Sequence, residues 1–267
     1  MTNGDQLRAA MSVAVDEFRR TVPLVQCLTN IVAAQWTANV LLAAGAAPAM
    51  VDNPEEAGGF AEVASGTLVN LGTPYPETVA AMRAAVEARR RSGAGWVLDP
   101  VAVGGLPWRT EIARELVRAH PPAVIRGNSS EIAGLAGAAG GRGVDATDRP
   151  EDVLPAARQL ADEFDCVVAV SGEVDHIVAG DELVRVHNGD VMMTRVTGVG
   201  CALGALMSGL VSVAEPRVAA ITATAWLTVA ADRAMATAAG PGSFAAILLD
   251  EVAAVDGATI AAAARLS

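Results

Sequence analysis

The chain of 267 residues contains no lysine, and all nineteen of its basic residues are arginines. This absence excludes two kinds of chemistry. A Walker-type phosphate-binding loop needs a lysine next to its last glycine, and an enzyme that works through a Schiff base needs a lysine amine. If this chain handles phosphate, we therefore expect backbone amides and arginine to hold it.

Cysteine is scarce as well, with three residues in the whole chain. The three lie far apart and lack any Cys-x-x-Cys spacing, which argues against a disulfide framework and a structural zinc site. We interpret Cys27 and Cys166, which lie in apolar strand contexts, as residues of the core. The three histidines share no metal-ligand spacing, and we interpret them as structural.

Long apolar runs are also missing. Two apolar stretches, 202–214 and 218–231, each fall short of the roughly 20 residues that a membrane-spanning helix needs. Residues 1–20 contain acidic side chains and do not read as a signal peptide. The formal net charge of −11 repels nucleic acid backbones and anionic membrane surfaces. We therefore expect a cytoplasmic protein with no nucleic acid and no membrane partner.

The sequence does have ample material for a core, since 52% of its residues are hydrophobic. Aromatic residues make up only 3%, so small side chains must fill the interior. Apolar strands alternate with helices, which predicts one α/β domain over residues 1–267 with a mainly parallel sheet covered by helices on both faces. The predicted strands nearest the site are Leu24–Leu28, Thr67–Leu71, Gly95–Leu98, Ala123–Ile125 and Cys166–Val170.

Three local signals predict further features. Asn53 followed by Pro54 is typical of a helix start, with asparagine as the cap and proline at the first helical position. Gly180-Asp181 predicts the turn of a β-hairpin. The glycine-rich run Gly137–Gly143 predicts a flexible loop.

Polar residues follow the predicted strands, although the strands themselves are apolar. In open parallel sheets, ligands bind beyond the carboxyl ends of the strands. This rule places the candidate site at the residues that follow the strands, which are Asn70, Asp99, Arg126, Asn128, Ser171 and Glu173.

A glycine loop precedes an Ala/Leu-rich helix in the segment Thr194–Ala202. Gly198 and Gly200 let the backbone approach a ligand, and the free amides of a helix start bind anions. The alternative is an ordinary glycine turn. Cys201 lies at this helix start, where the helix dipole favours a thiolate. It could equally be a small residue that packs the first turn.

Charged residues at two strand ends complete the candidate site. Asp99 and Glu131 could hold Mg²⁺ against nucleotide phosphates, whereas the alternatives are a turn before Pro100 and a charge on the first turn of a helix. Arg126 could bind phosphate oxygens, and its alternative is a surface ion pair.

Six segments follow one another along the chain, and they are Pro23–Asn30, Gly45–Met50, Leu98–Val101, Ile125–Ile132, Val170–Asp175 and Thr194–Cys201. The first resembles the P-L-V-H-x-I-T-N signature of the hydroxyethylthiazole kinase family, and the last resembles the T-x-V-T-G-T-G-C of that family. All six segments match in the family's order, and the resemblance covers nearly the whole chain, from about Pro23 to Ser243.

The resemblance implies a ribokinase-like fold and dependence on ATP and Mg²⁺. It implies transfer of the γ-phosphate to the hydroxyl of 4-methyl-5-(2-hydroxyethyl)thiazole, a step of thiamine biosynthesis and salvage. It also implies a homotrimer with its sites between subunits. Asn30, Met50 and Gly198 are expected to bind the thiazole, and Cys201 to stand where related sugar and pyrimidine kinases carry an aspartate base.

The same resemblance implies that Arg126, Ser171 and Gly200 bind ATP. It implies that Asp99 and Glu131 lie near the metal ion and the phosphates. Of these residues, Asp99, Arg126 and Ser171 are also selected by the strand-end rule, and Gly200 belongs to the glycine loop.

Two positions depart from the family pattern. Gln26 stands in place of a histidine, and Val199 stands in place of a threonine whose hydroxyl would face the anion loop. Two alternatives therefore accompany the thiazole assignment. One is a kinase of a related small alcohol such as hydroxymethylpyrimidine, and the other is a nucleotide-binding sensor on the same fold that no longer turns over.

Overall fold

The computed structural model describes residues 3–137 and 150–267. The predicted glycine-rich loop Gly137–Gly143 therefore lies, after its first residue, outside the described residues. The strands are β1 (Leu24–Leu28), β2 (Ala47–Ala49), β3 (Gly66–Asn70), β4 (Val97–Asp99), β5 (Val124–Asn128), β6 (Val167–Ser171), β7 (Asp175–Ala179) and β8 (Glu182–Val186). The helices are α1 (Asn3–Thr21), α2 (Ala34–Ala44), α3 (Ala57–Val63), α4 (Pro76–Ser92), α5 (Pro107–Ala119), α6 (Ser129–Ala136), α7 (Leu154–Phe164), α8 (Val199–Leu210), α9 (Pro216–Met235), α10 (Pro241–Ala254) and α11 (Gly257–Ala263).

All eight strands form one sheet in the order β2-β1-β3-β4-β5-β6-β7-β8. The pairs from β2 to β6 are parallel, and β7 and β8 add the predicted antiparallel hairpin. The chain runs from β1 to β2 on one side and then crosses to β3 on the other side of β1. The direction of winding therefore reverses between β1 and β3, which is the point where ligands bind in such sheets.

A hydrophobic core lies on each face of the sheet because successive strand residues point to opposite faces. In β1, Cys27 belongs to one core and Leu28 to the other. The first core is covered by α1, α2 and α8 to α11, and the second by α3 to α7. The predicted mainly parallel sheet with helices on both faces is confirmed.

The two apolar stretches near the end of the sequence form α8 and α9, which pack on each other and on the sheet. Almost every residue of α8 is buried, so its apolar character reflects a central position in the core. None of the described helices is long and apolar enough to cross a membrane.

Two predicted boundaries shift by three residues, whereas the other strands predicted above differ by at most two residues at either end. The helix predicted to start at Asn53-Pro54 begins at Ala57, because the Asn53 side chain instead accepts a hydrogen bond from the amide of Glu55 over 2.8 Å and closes a turn. The strand predicted to end at Ile125 continues to Asn128, because these added residues pair with β6. Arg126 thus lies within the strand, whereas the sequence placed it just after the strand.

A buried arginine ties three elements on one face of the sheet. Arg89 of α4 is 3% exposed, and its guanidinium donates to the carbonyl oxygens of Ala61, Ala64, Ser65 and Gly95. Desolvation lowers the pKa of this side chain below its usual range. The planar guanidinium offers five donors in a fixed fork, which a lysine could not reproduce.

Candidate active site

Three buried side chains meet at the switch point of the sheet. Asn30 follows β1, Asn70 ends β3 and Asp99 ends β4. The Nδ2 of Asn30 donates to the Oδ1 of Asn70 over 2.9 Å. The Nδ2 of Asn70 in turn donates to the Oδ2 of Asp99 over 2.7 Å. The strand-end rule had selected two of these residues, and the resemblance supplied Asn30.

Backbone amides fix the orientation of both asparagine side chains. The amide of Ala33 donates to the Oδ1 of Asn30 over 3.0 Å, and the amide of Gly72 donates to the Oδ1 of Asn70 over 3.0 Å. Since each side-chain oxygen faces an N–H donor, each Nδ2 must point away from it. The donors therefore run in one direction, from Asn30 through Asn70 to Asp99.

Asp99 is the end point of this row and is fully buried. Burial raises the pKa of its carboxyl to about 7, while the charge of Arg126 lowers it and the charge of Glu131 raises it. Its Oδ1 is buried and has no hydrogen-bond partner among the residues that the structure describes. A buried carboxylate oxygen without a partner fits a missing cation or donor.

Glu131 is the second acidic residue of the candidate metal site. Its Oε2 accepts from the amide of Asn128 over 2.8 Å, and its Oε1 accepts from the amide of Ala102 over 3.0 Å. These bonds form a capping box for α6 and hold the loop that follows Asp99. Each carboxylate oxygen keeps a further lone pair, so the capping role leaves room for a water or metal contact.

These two carboxylates bear on Mg²⁺ binding, because this ion usually takes one or two protein carboxylates and completes its shell with water and phosphate oxygens. The residues fit such a shared ion, and they do not fit a site built from protein ligands alone. Residues 3–137 and 150–267 contain no cluster of three or more His, Cys, Asp or Glu side chains suited to a metal ion.

Arg126 lies between the acidic residues and a cavity beside α8. Its NH1 is 3.6 Å from the Oδ2 of Asp99, and its Nε and NH2 donate to the Oγ of Ser171 over 3.2 and 2.9 Å. The side chain is 13% exposed. The surface-ion-pair reading is therefore wrong, since Arg126 pairs with a buried carboxylate at the floor of a cavity.

The glycine loop that leads into α8 lies against this arginine. Gly198 has a left-handed φ of 87°, and a Cβ there would lie 3.1 Å from the Cβ of Ala33 and 3.2 Å from Trp36. A Cβ on Gly200 would lie 2.7 Å from the NH1 of Arg126. Both glycines are thus required by close approach, and Gly200 brings the first turn of α8 against the guanidinium of Arg126.

Cys201, the third residue of α8, is joined to the same row of side chains. Its Sγ accepts from the Nδ2 of Asn30 over 3.3 Å. Burial raises the pKa of the Cys201 thiol, and the charge of Asp99 adds to this rise. This direction favours the neutral thiol over the thiolate, so it supports the interpretation of Cys201 as a small residue that packs the first turn of α8. Cys27 is buried and its pKa is raised to about 12, as expected for a core residue.

A cavity of about 790 Å³ extends from Arg126 along the first turn of α8. Arg126, Ser171 and Gly200, three of the residues predicted to bind ATP, lie together in its wall. The other end is formed by the loop after β8 and by α9. The remaining lining residues that matter below are Asp175, Asn188, Gly189, Val191, Val199, Leu203, Leu227 and Thr228.

Met50 and Gln26 lie on the opposite side of the switch point. Met50 follows β2 and is 38% exposed. Gln26 is fully buried beneath the segment after Met50, where its Nε2 donates to the carbonyls of Val51 and Ala57 over 3.0 Å each. In this chain, Gln26 therefore holds the segment after Met50 by two hydrogen bonds.

Sequence reasoning missed part of the site. It noted Asn70 as a strand-end residue but gave it no role, although its position before Gly72 was a usable signal. It also missed Asp175, whose pKa desolvation raises to about 6. The wall formed by Asn188 and Thr228 carries no local signal, because it depends on contacts between distant segments.

The fold and this site together define a small-molecule kinase of the ribokinase-like class. The fold resembles that of a pyridoxal kinase from Staphylococcus aureus solved with AMP-PCP and pyridoxal, with a TM-score of 0.59 at 17% identity over 79% of this chain and 88% of that one. At this identity the likeness concerns the fold alone.

The chain belongs to the hydroxyethylthiazole kinase family, whose model matches residues 15–257. It is 56% identical to a hydroxyethylthiazole kinase of Clavibacter sepedonicus, over 94% of this chain and 92% of that protein. A solved hydroxyethylthiazole kinase protein from Pyrococcus horikoshii OT3 has a TM-score of 0.88 and 33% identity, covering 96% of this chain and 98% of that one.

Proposed function

We propose that this protein transfers the γ-phosphate of ATP to the hydroxyl of 4-methyl-5-(2-hydroxyethyl)thiazole, as one kinase domain that works in the cytoplasm for thiamine biosynthesis or salvage. One observation carries the proposal. Arg126, the glycine-rich start of α8 and the row from Cys201 to Asp99 converge at the carboxyl edge of the sheet. Anion donors and a partnerless carboxylate oxygen are thus combined at one point.

The donor side of the site is the cavity beside α8. Its volume of about 790 Å³ falls in the range of cavities that bind drug-sized ligands. Phosphates are proposed to lie at Arg126, Ser171 and Gly200, where a guanidinium and helix-start amides replace the missing lysine. The adenine base of ATP is proposed to lie at the apolar end of the cavity, against Leu203 and Leu227.

Mg²⁺ is proposed to be shared between the phosphates and the carboxylates of Asp99 and Glu131. When bound, the ion supplies charge that stabilises the transferring phosphoryl group. The two residues contribute differently. Asp99 offers an oxygen without a partner, whereas Glu131 holds the loop after β4 by its bond to Ala102.

The acceptor alcohol is proposed to lie between Met50, Asn30 and the loop at Gly198. Exposed apolar side chains surround this side, with Ile31 73% and Val32 63% exposed. Large exposed apolar residues beside a site are typical of a surface that another subunit covers. Since the family resemblance implies a homotrimer, we propose that a neighbouring subunit closes the acceptor side.

In the proposed reaction, the alcohol oxygen forms a bond to the γ-phosphorus as the bond to the bridging oxygen of ADP breaks. The alcohol proton passes to solvent water as the new P–O bond forms. The transition state is loose, so positioning and charge stabilisation provide most of the rate enhancement. A strong base is unnecessary, which is consistent with the raised pKa of the Cys201 thiol.

A coupled assay of ADP release, first with the thiazole alcohol and then with hydroxymethylpyrimidine, tests this proposal. We expect ADP release that depends on the thiazole alcohol and on Mg²⁺. Release with the pyrimidine alone would instead indicate the sister kinase. Nucleotide binding without ADP release for either alcohol would indicate a sensor and would refute the proposal.

A further inference from the structure

One wall of the nucleotide cavity is held from outside by residues that do not belong to the catalytic centre. This wall is the loop Asn188–Val191, which follows β8 and has no regular partner strand. Irregular backbone of this kind needs its polar groups paired and its path fixed by neighbouring elements. Gly189 has a φ of 111°, which glycine adopts readily and other residues rarely do. The direction of its amide therefore depends on glycine at this position.

Asn188 lines the cavity, but its side chain is already committed elsewhere. Its Nδ2 donates to the Oδ2 of Asp232 over 2.8 Å and to the carbonyl of Ala263 over 3.2 Å. Its Oδ1 accepts from the amide of Arg265 over 2.6 Å. Both amide hydrogens are thus used, and Asn188 is 4% exposed. It therefore shapes the wall and has no hydrogen left to donate to a nucleotide.

Asp232 of α9 is the centre of this arrangement. Its Oδ1 accepts from the amide of Gly189 over 2.9 Å. Its Oδ2 accepts from Asn188 and from the NH1 of Arg265, the latter over 2.9 Å. One carboxylate thus fixes both the side chain and the backbone of the first two wall residues.

Arg265 locks the other side of the same loop. Its NH2 donates to the carbonyl of His187 over 2.7 Å, and the amide of His187 donates back to the carbonyl of Arg265 over 2.9 Å. Leu266 then bridges to Val186 as an added antiparallel partner of β8. The segment 265–267 therefore covers the edge of β8 and reaches the loop that leaves it.

We infer that Asp232 and Arg265 are positioning residues for the nucleotide, which set the cavity wall at Asn188 and Gly189 without touching the ligand. The inference rests on the proposed function. The ion pair itself is too exposed to contribute much, with side chains 26% and 57% exposed. The hydrogen bonds to the loop matter more than the ion pair. Removal of the Asp232 side chain is therefore expected to weaken nucleotide binding more than removal of the Arg265 side chain.

The test compares Asp232→Ala, Arg265→Ala and Arg265→Lys in the full chain. Each variant is measured for kcat, for the KM of ATP, for the KM of the thiazole alcohol, and for the Kd of a non-hydrolysable ATP analogue by calorimetry. The control is Arg233→Ala, which removes the neighbouring ion pair between α9 and Glu251 and leaves the loop untouched. Thermal unfolding confirms that each variant is folded at the assay temperature.

For Asp232→Ala we expect the KM of ATP and the analogue Kd to rise about tenfold, the order of losing one charge-assisted hydrogen bond. The KM of the alcohol is expected to stay within about twofold, and Arg265→Lys to retain more affinity than Arg265→Ala. A general loss of structure would instead lower kcat and change both KM values together.

Two outcomes overturn the inference. One is an analogue Kd for Asp232→Ala equal to that of the unmodified protein. The other is an equal rise for the control Arg233→Ala. If the unmodified protein bound no nucleotide in the calorimeter, the proposed kinase function itself would be refuted. Failure of the proposed function is thereby distinguished from failure of the positioning role of Asp232 and Arg265.

Discussion

The contact between Gly200 and Arg126 gives a sharp test of the site, because one methyl group should impair function without harming the fold. Gly200 lies in the first turn of α8, in a backbone conformation that alanine also adopts. An added Cβ would lie 2.7 Å from the NH1 of Arg126 and 2.9 Å from its NH2. The substitution Gly200→Ala must therefore displace the guanidinium.

The size of this displacement follows from the contact distances. Ordinary contact begins near 3.4 Å, so the guanidinium must withdraw by about 0.7 Å from a separation of 2.7 Å. This shift weakens its bonds to Ser171 and moves its charge away from the helix start. Misplacement of a catalytic group by about 1 Å can cost on the order of 100-fold in rate. We expect kcat/KM for ATP to fall roughly 10- to 100-fold, with no loss of stability, because alanine is the better helix former.

Steady-state kinetics and thermal unfolding measure the two effects separately. Gly59→Ala is the matched control, since Gly59 is also a helical glycine and an added Cβ there meets nothing within 4 Å. A double-mutant cycle with Arg126→Met should show that Gly200→Ala has little further effect once the guanidinium is gone. Normal kcat/KM in Gly200→Ala would refute the claim that this close approach positions the arginine.

Three further predictions follow from the same structure. Cys201→Ala should keep at least about 1% of kcat, because the thiol is not needed as a general base. Loss of a true general base costs on the order of 100-fold or more in rate. A loss of that size with intact nucleotide binding would show that the thiol takes part in proton transfer. Arg89→Lys should lower the melting temperature by about 5–10 °C, since three donors cannot serve four carbonyls, while the exposed Arg90→Lys should change it little. Desolvation raises the pKa of Asp175 to about 6 from 3.8, so its contribution to stability is lost as the pH rises between these values. Urea unfolding should therefore show that Asp175→Asn gains stability relative to the unmodified protein from pH 4 to pH 7, and the absence of such a pH-dependent gain would contradict the shift.

Local patterns in the sequence predicted the elements well, because periodicity and end signals act over a few residues. The strand Leu24–Leu28 and the hairpin across Gly180-Asp181 were both found correctly. The start of α3 was not, since Asn53 can cap a turn as readily as a helix and only packing decides between them. Asp99 was recognised from its place after an apolar strand.

The direction of the row from Asn30 to Asp99 could not be read from the sequence. It depends on amides of Ala33 and Gly72 that orient each side chain, and on strands β1, β3 and β4 lying side by side. The protonation of Cys201 was equally out of reach. Burial, which only the packed structure shows, raises the pKa of this thiol.

The sequence by itself limited the chemistry that is possible here: without lysine, a bound phosphate is expected to be held by arginine and by backbone amides. Tertiary structure alone decided how these groups are aimed. Asp232 reaches Asn188 across 44 residues and Arg265 reaches it across 77. No local pattern encodes such contacts, because they form only when distant segments pack against the same sheet edge.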